Sequence, residues 1–179
     1  MNSAFLAMLT AIGALAVLST SHPVRGADLE DQVTETIASF KLADPGITNF
    51  FSNSAGYVVF PNISEGGFII GAERGKGLLM EKDKNEATAK VTLTAISVGA
   101  QVGGGSFSQV IFLQDSSALK SFKEGQLTMA ADAKATVAAS GASANAKYQQ
   151  GVAVFALPKS GAMVSASVGG QKFKVELIP

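Results

Sequence analysis

Lys90-Val91-Thr92-Leu93-Thr94-Ala95-Ile96-Ser97-Val98 decides the fold class of this chain. Val91, Leu93 and Ala95 alternate with Lys90, Thr92 and Thr94. A side-chain period of two belongs to a strand with one face in a core and the other in water. The apolar phase then moves to Ile96 and Val98, which predicts a bulge at that point. The chain repeats the pattern near its end, where Phe173, Val175 and Leu177 alternate with Lys172, Lys174 and Glu176. Such patterning predicts antiparallel sheet with one face buried.

Working outward, Gly56-Tyr-Val-Val-Phe60 is an apolar run closed by Pro61, and 67–72 and 77–80 predict two further strands separated by Glu73-Arg74-Gly75-Lys76. Residues 81–86 form a charged turn, and Gly103-Gly104-Gly105 predicts a hairpin turn before a strand over 110–113. Asp115 is a suitable N-cap for a short helix carrying Leu119 and Phe122. Leu127, Met129, Ala131, Ala133, Ala135 and Val137 alternate with polar residues, and after Gly141 the apolar set moves to Ala142, Ala144, Ala146 and Tyr148, as at a bend. Segments 152–157, 162–168 and 173–177 bring the expectation to about nine to ten strands. Before them, Leu29, Val33, Ile37 and Phe40 recur at helical spacing opposite Glu30, Asp31 and Glu35, and Pro45-Gly46 ends that helix. A further turn or two holds Ile47, Phe50 and Phe51 on one side. The acidic start of the first helix favours packing on its own domain over a membrane surface. The expected fold class is therefore α+β, predominantly antiparallel, with short N-terminal helices packed on a strongly bent or sandwich-like sheet. An identity pattern at an offset of 95 residues, including Gly56/Gly151 and Phe60/Phe155, reflects either two related strand–turn–strand units or coincidence in a chain rich in Gly and Val.

The first 26 residues read as an export signal. Ala4 to Leu18 is almost wholly apolar, at signal-peptide length and short of the ~20 residues of a membrane anchor. Val24 and Gly26 suit cleavage after Gly26, with Ala27 the second choice. Met1-Asn2-Ser3 lacks the usual Lys or Arg, so a retained hydrophobic helix is the alternative. The domain then spans 27–179, with helices over 28–54 and a β-rich core over 55–178. Loss of Arg25 leaves 13 basic and 14 acidic residues, a formal charge of −1. That balance does not suit a nucleic-acid binder.

The residue inventory excludes several chemistries. There is no cysteine, and the one histidine, His22, lies in the expected leader. The mature chain therefore has no imidazole base, no thiol nucleophile, no disulfide, and none of the His/Cys shell typical of zinc. A carboxylate-only glycosidase would want aromatic platforms, and the chain has no Trp and only Tyr57 and Tyr148. Gly75-Lys76-Gly77 lacks the spacing of a phosphate loop, and Gly103-Gly104-Gly105 that of a dinucleotide loop. Asp83-Lys-Asn85-Glu86 lacks the glycine and closing glutamate of a calcium loop. No cofactor, no metal and no catalytic residue is expected. Asn62-Ile63-Ser64 is a glycosylation sequon, relevant only in a eukaryotic secretory pathway.

Ser54-Ala-Gly-Tyr-Val-Val-Phe-Pro61, Gly66-Gly-Phe-Ile-Ile-Gly71 and Gly75-Lys-Gly77 resemble the opening of the SYLF domain family. Ser97-Val-Gly-Ala-Gln101, Val110-Ile-Phe112, Ala130-Ala-Asp-Ala133 and Gly151-Val-Ala-Val-Phe155 with Gly161 follow in the family's order, so that the resemblance runs from about Asp28 to Leu177. It implies a non-catalytic, β-rich, lipid-binding domain. Eukaryotic relatives bind phosphoinositides, and some bind actin; exported bacterial relatives are stand-alone domains. Glu65 stands where the family commonly has a basic residue before the glycine pair, and the first helix is acidic where lipid-binding relatives have a basic or amphipathic one. The resemblance therefore implies a generic anionic phospholipid or membrane surface as partner. Actin does not suit an exported protein, which would reside in the periplasm or outside the cell. Interaction through sheet edges in the envelope, or a small outer-membrane barrel, are the other readings of an exported, alternating chain.

Arg74 and Lys76, on the glycine-flanked turn, and Lys82 and Lys84, on the next turn, are the candidate lipid contacts, expected together at one end of the sheet. The competing reading is a solvated loop whose charge Glu73, Glu81 and Asp83 balance.

Overall fold

The structure, a computed structural model, describes residues 28–68, 70–98, 103–127, 129, 134–160 and 170–179. The expected leader with His22, residues 128 and 130–133 of the strand expected over 127–137, and the strand expected over 162–168 lie outside these residues.

The first helix forms where its periodicity places it. α1 (Leu29–Ala43) is capped by Asp28, whose carboxylate accepts from the Leu29 N–H at 2.7 Å, and it buries Val33 and Phe40. A 3₁₀ turn (Pro45–Ile47) and α2 (Thr48–Asn53) follow. Phe50 and Phe51 of α2 pack onto Phe112, with ring centroids 5.4 and 4.8 Å away. The seven strands are β1 (Gly56–Phe68), β2 (Ile70–Glu81), β3 (Ala87–Val98), β4 (Gly103–Leu113), β5 (Thr136–Val137), β6 (Val152–Ser160) and β7 (Lys172–Leu177). α3 (Ser116–Lys123) follows β4, and Asp115 caps it by accepting from the Ala118 N–H at 2.9 Å.

These strands form one sheet in the order β5-β6-β4-β1-β2-β3-β7, antiparallel except for the short β5–β6 pair. Both faces are covered over its middle. Val59, Leu78, Val110, Phe112 and Phe155 lie under α1 and α2 with Val33, Phe40 and Ile47. Phe60, Ile63, Leu79, Leu93 and Ile111 form the opposite core with Ala118 and Phe122 of α3. We call the α1 side the outer face and the α3 side the inner face.

Several expectations are corrected. The sheet has seven described strands and is not strongly curled, rather than nine or ten in a sandwich-like or strongly bent arrangement. β1 does not stop at Pro61. It passes through a register shift between Val59 and Asn62 and continues to Phe68. The turn expected at 73–76 is likewise absent, because β2 runs unbroken through it. Its glycines answer a different need: a Cβ on Gly77 would lie 2.7 Å from the Phe60 ring, and one on Gly75 2.8 Å from Ile63. They admit the bulged β1 chain at close range, a recognised use of strand glycine. Gly103–Gly105 belong to β4 itself, and residues 142–144 form a 3₁₀ turn where a strand was expected. The apparent repeat does not correspond to equivalent environments, since Phe60 faces the inner core and Phe155 the outer one.

The bulge expected near Ile96 is absent too. β3 pairs with β2 without interruption from Ala89 opposite Leu79 to Val98 opposite Ile70. Strand alternation therefore leaves Ile96 on the outer face, 74 % exposed.

Candidate functional site

Arg74 and Lys76 occupy alternate positions in the middle of β2, both exposed, while Glu73, Gly75 and Gly77 between and beside them are buried. The cations therefore point away from the inner core on the outer face, beyond the end of the patch that α1 covers at Leu78. Lys82 and Lys84 are exposed in the β2–β3 turn. Lys82, the nearer of the two, lies six residues beyond Lys76 and eight beyond Arg74, or about 20–26 Å at strand rise. The four candidates are not brought together.

β3 and β7 supply different partners for the first two. Asn62, Lys76, Thr92 and Lys174 form one cross-strand row over β1, β2, β3 and β7, and Ser64, Arg74, Thr94 and Lys172 form the next. Alternate residues on a strand are ~7 Å apart and strands separated by one neighbour ~10 Å. Arg74, Lys76, Lys172 and Lys174 thus mark the corners of a rectangle of about those dimensions, with Thr92 and Thr94 along its midline. Lys90 stands one step below, opposite Glu176. All five cations are exposed.

Glu176 is the one carboxylate in these rows. It lies 2.7 Å from Lys174, and the hydrogen bond and charge of that lysine, with a smaller contribution from Lys90, hold it below the usual carboxylate range. Arg74, Lys76 and Lys172 make no ion pair among the described residues. The chain as a whole balances 14 basic against 14 acidic residues, so this face is a segregation of charge. With β3 between them, the cations of β2 and β7 attract nothing across the sheet and add nothing to packing. For Arg74 and Lys76 the competing picture, a loop neutralised by Glu73, Glu81 and Asp83, does not fit the geometry, whereas at the β2–β3 turn the charge of Lys84 does act on Glu81. Glu73 lies on the opposite face of β2, and Glu81 pairs with Lys123 at 2.7 Å.

Sequence reasoning missed Lys90, Lys172 and Lys174 as members of the site, although it placed them at the polar positions of their strands. The alternation was visible. The adjacency of β7 to β3 was not.

Below Arg74 and Lys76, the inner face holds a buried polar network. Gln109 and Gln171 exchange amide hydrogen bonds at 2.8 and 3.1 Å, and Gln171 also donates to the Glu73 carboxylate at 3.1 Å. Burial pushes the Glu73 carboxyl up, the Gln171 hydrogen bond opposes this, and Glu65, its cross-strand neighbour, adds to the rise. No group of three or more His, Cys, Asp or Glu side chains suited to a metal ion occurs among the described residues.

No curated protein matches the chain. Residues 94–176 match the family described as "Ysc84: Las17-binding protein actin regulator". The matched segment is narrower than the resemblance read from Asp28 onward. It includes Thr94, Lys172 and Lys174 of the cationic face and Gln109 and Gln171 of the buried network, whereas Arg74, Lys76 and Lys90 precede it. β4, α3, β6 and nearly all of β7 lie inside that segment, so over residues 94–176 the chain is similar to the Ysc84/SYLF family.

Proposed function

We propose that this is an exported, non-catalytic protein that binds anionic phospholipid through the outer face of β2, β3 and β7. One observation carries the reading: five exposed cations with a single carboxylate among them, on a face with no fold-stabilising use for that charge. Each Lys or Arg near an anionic surface contributes about 1 kcal/mol, and the contribution is screened over a Debye length of ~10 Å at 0.1 M salt. The family is generally non-catalytic, and the apolar run at 4–18 supports export to the periplasm or the exterior. The actin regulation in the family's description belongs to proteins with access to actin, which export would remove.

The other readings have less support. β7, an edge strand, carries Lys172 and Lys174, and edge lysines discourage strand addition. A transmembrane barrel is a closed sheet with an apolar exterior, whereas here α1 packs on one face of a sheet whose described edges are β5 and β7.

The test is co-sedimentation with phosphatidylglycerol vesicles and with phosphatidylcholine vesicles, each at low and high salt. Binding to the first alone, weakened by salt, is expected. Equal binding to both lipids, or to neither, overturns the reading.

A further inference from the structure

We infer that the protein docks on an anionic bilayer with the Ile96 end of the outer face lowest, so that Ile96 enters the interface beneath the headgroups while the four-cation rectangle lies at headgroup level. The inference rests on the lipid-binding reading above and adds to it an orientation and an apolar anchor.

The order of side chains along the strands supports it. Moving up the outer face, the row Lys76–Thr92–Lys174 is followed by Arg74–Thr94–Lys172 and then by Ala72 opposite Ile96. Gly66 extends this last row onto β1 as the cross-strand partner of Ala72, and a Cβ there would meet nothing. The row holds no charge. Ile96 stands ~7 Å from Thr94 along the strand, comparable with the ~5–10 Å to which apolar side chains enter the headgroup–acyl boundary. Cations followed by an exposed aliphatic side chain match the sequence of environments met on entering an anionic bilayer.

The other end of the face is less suited, although Lys82 and Lys84 of the β2–β3 turn lie there. There α1 lies over Val59 and Leu78, and its Glu30, Asp31 and Glu35 are exposed. A tilt that lowered this end would bring carboxylates toward anionic headgroups. The unbroken β2–β3 register has the same bearing: a bulge before Ile96 would have turned this side chain inward.

The chain has no tryptophan, so single substitutions make clean reporters. The secreted protein bearing Ile96→Trp, and separately Leu42→Trp at the exposed end of α1 (Leu42 is 85 % exposed), would be mixed with phosphatidylglycerol vesicles whose acyl chains are brominated. The expected result is a blue shift and quenching for Ile96→Trp and neither for Leu42→Trp. Ile96→Ser should bind about fivefold more weakly, as loss of partial burial of one aliphatic side chain implies, and its remaining binding should be more sensitive to salt. If wild-type protein binds the vesicles but the tryptophan at 96 is unquenched, or the one at 42 is quenched instead, the orientation is wrong and the lipid reading survives. If wild-type protein does not bind at all, both fall.

Discussion

Arg74 and Lys172 are both cross-strand neighbours of Thr94, one on each side, so that cations from the first hairpin and the last strand share one row of the sheet. Lys76 and Lys174 stand in the same relation to Thr92. The arrangement makes the two strands equal contributors to the positive charge of this face.

Replacing Arg74 and Lys76 by Ala should weaken binding to phosphatidylglycerol vesicles about 10- to 30-fold at low salt, from ~1 kcal/mol per cation. Replacing Lys172 and Lys174 should cause a loss of the same order. Lys82→Ala with Lys84→Ala should change binding less than about twofold, because the β2–β3 turn lies beyond a Debye length from the rectangle. Melting midpoints should stay close to wild type, as for other exposed substitutions. A turn variant as damaging as the β2 pair would restore the grouping of Arg74, Lys76, Lys82 and Lys84 at one end.

Phe60 and Phe155 are fully buried on opposite faces of the sheet, with β4 between their strands. Truncating either to Ala should cost about 3–5 kcal/mol in denaturant melts. The milder changes Phe60→Leu and Phe155→Leu should cost about 1–2 kcal/mol each. Combined, they should add within about 0.5 kcal/mol, since the rings share no core cluster. A larger coupling would mean that the two cores communicate through β4.

Glu73 makes a pH-dependent contribution with a definite sign. Its carboxyl is pushed above the usual range chiefly by burial, with Glu65 adding to the rise. A carboxyl raised on folding favours the fold while protonated, below its unfolded pKa of about 4.3, and that stability is lost as pH rises through the folded value. Glu73→Gln keeps an acceptor for Gln171 and removes the charge. Thermal melts should place it above wild type near pH 7 and level with wild type near pH 4. Equal stability at both pH values would show that the Glu73 charge is not buried in solution.

Asp44 acts in the opposite sense. Burial raises its carboxyl, but hydrogen bonds from Ser143, Gly46 and Gly141 together outweigh burial and hold it below the usual range. It accepts from the backbone N–H of Ser143 at 2.6 Å and of Gly46 at 3.2 Å, tying the turn after α1 to the 3₁₀ turn at 142–144. The stability it adds is present above the unfolded pKa and is lost as pH falls through the folded one. Asp44→Ala leaves the buried Ser143 N–H unpaired, at about 1–3 kcal/mol. The variant should melt well below wild type at neutral pH, and the gap should narrow in acid.

Elements with short-range signals were legible along the chain. Leu29, Val33 and Phe40 recur on one helical face, Asp115 caps α3, and Val91–Ala95 and Phe173–Val175 alternate with a period of two. All of these follow from 3.6- and 2-residue periodicities and short-range capping. Lys90, Lys172 and Lys174 were therefore legible as outward-facing. Neighbourhood and continuity came from the assembled sheet. Gly75 and Gly77 look like turn glycines until the bulged β1 is seen pressing against β2, and Ile96 looks like a phase shift until the unbroken register leaves it in solvent. The cationic face exists because β7 joins the sheet beside β3. Strand order is set by long-range burial of Phe60, Phe173 and Phe122 on one face and of Phe112 and Phe155 on the other, and no periodicity along the chain encodes which strands those contacts bring side by side.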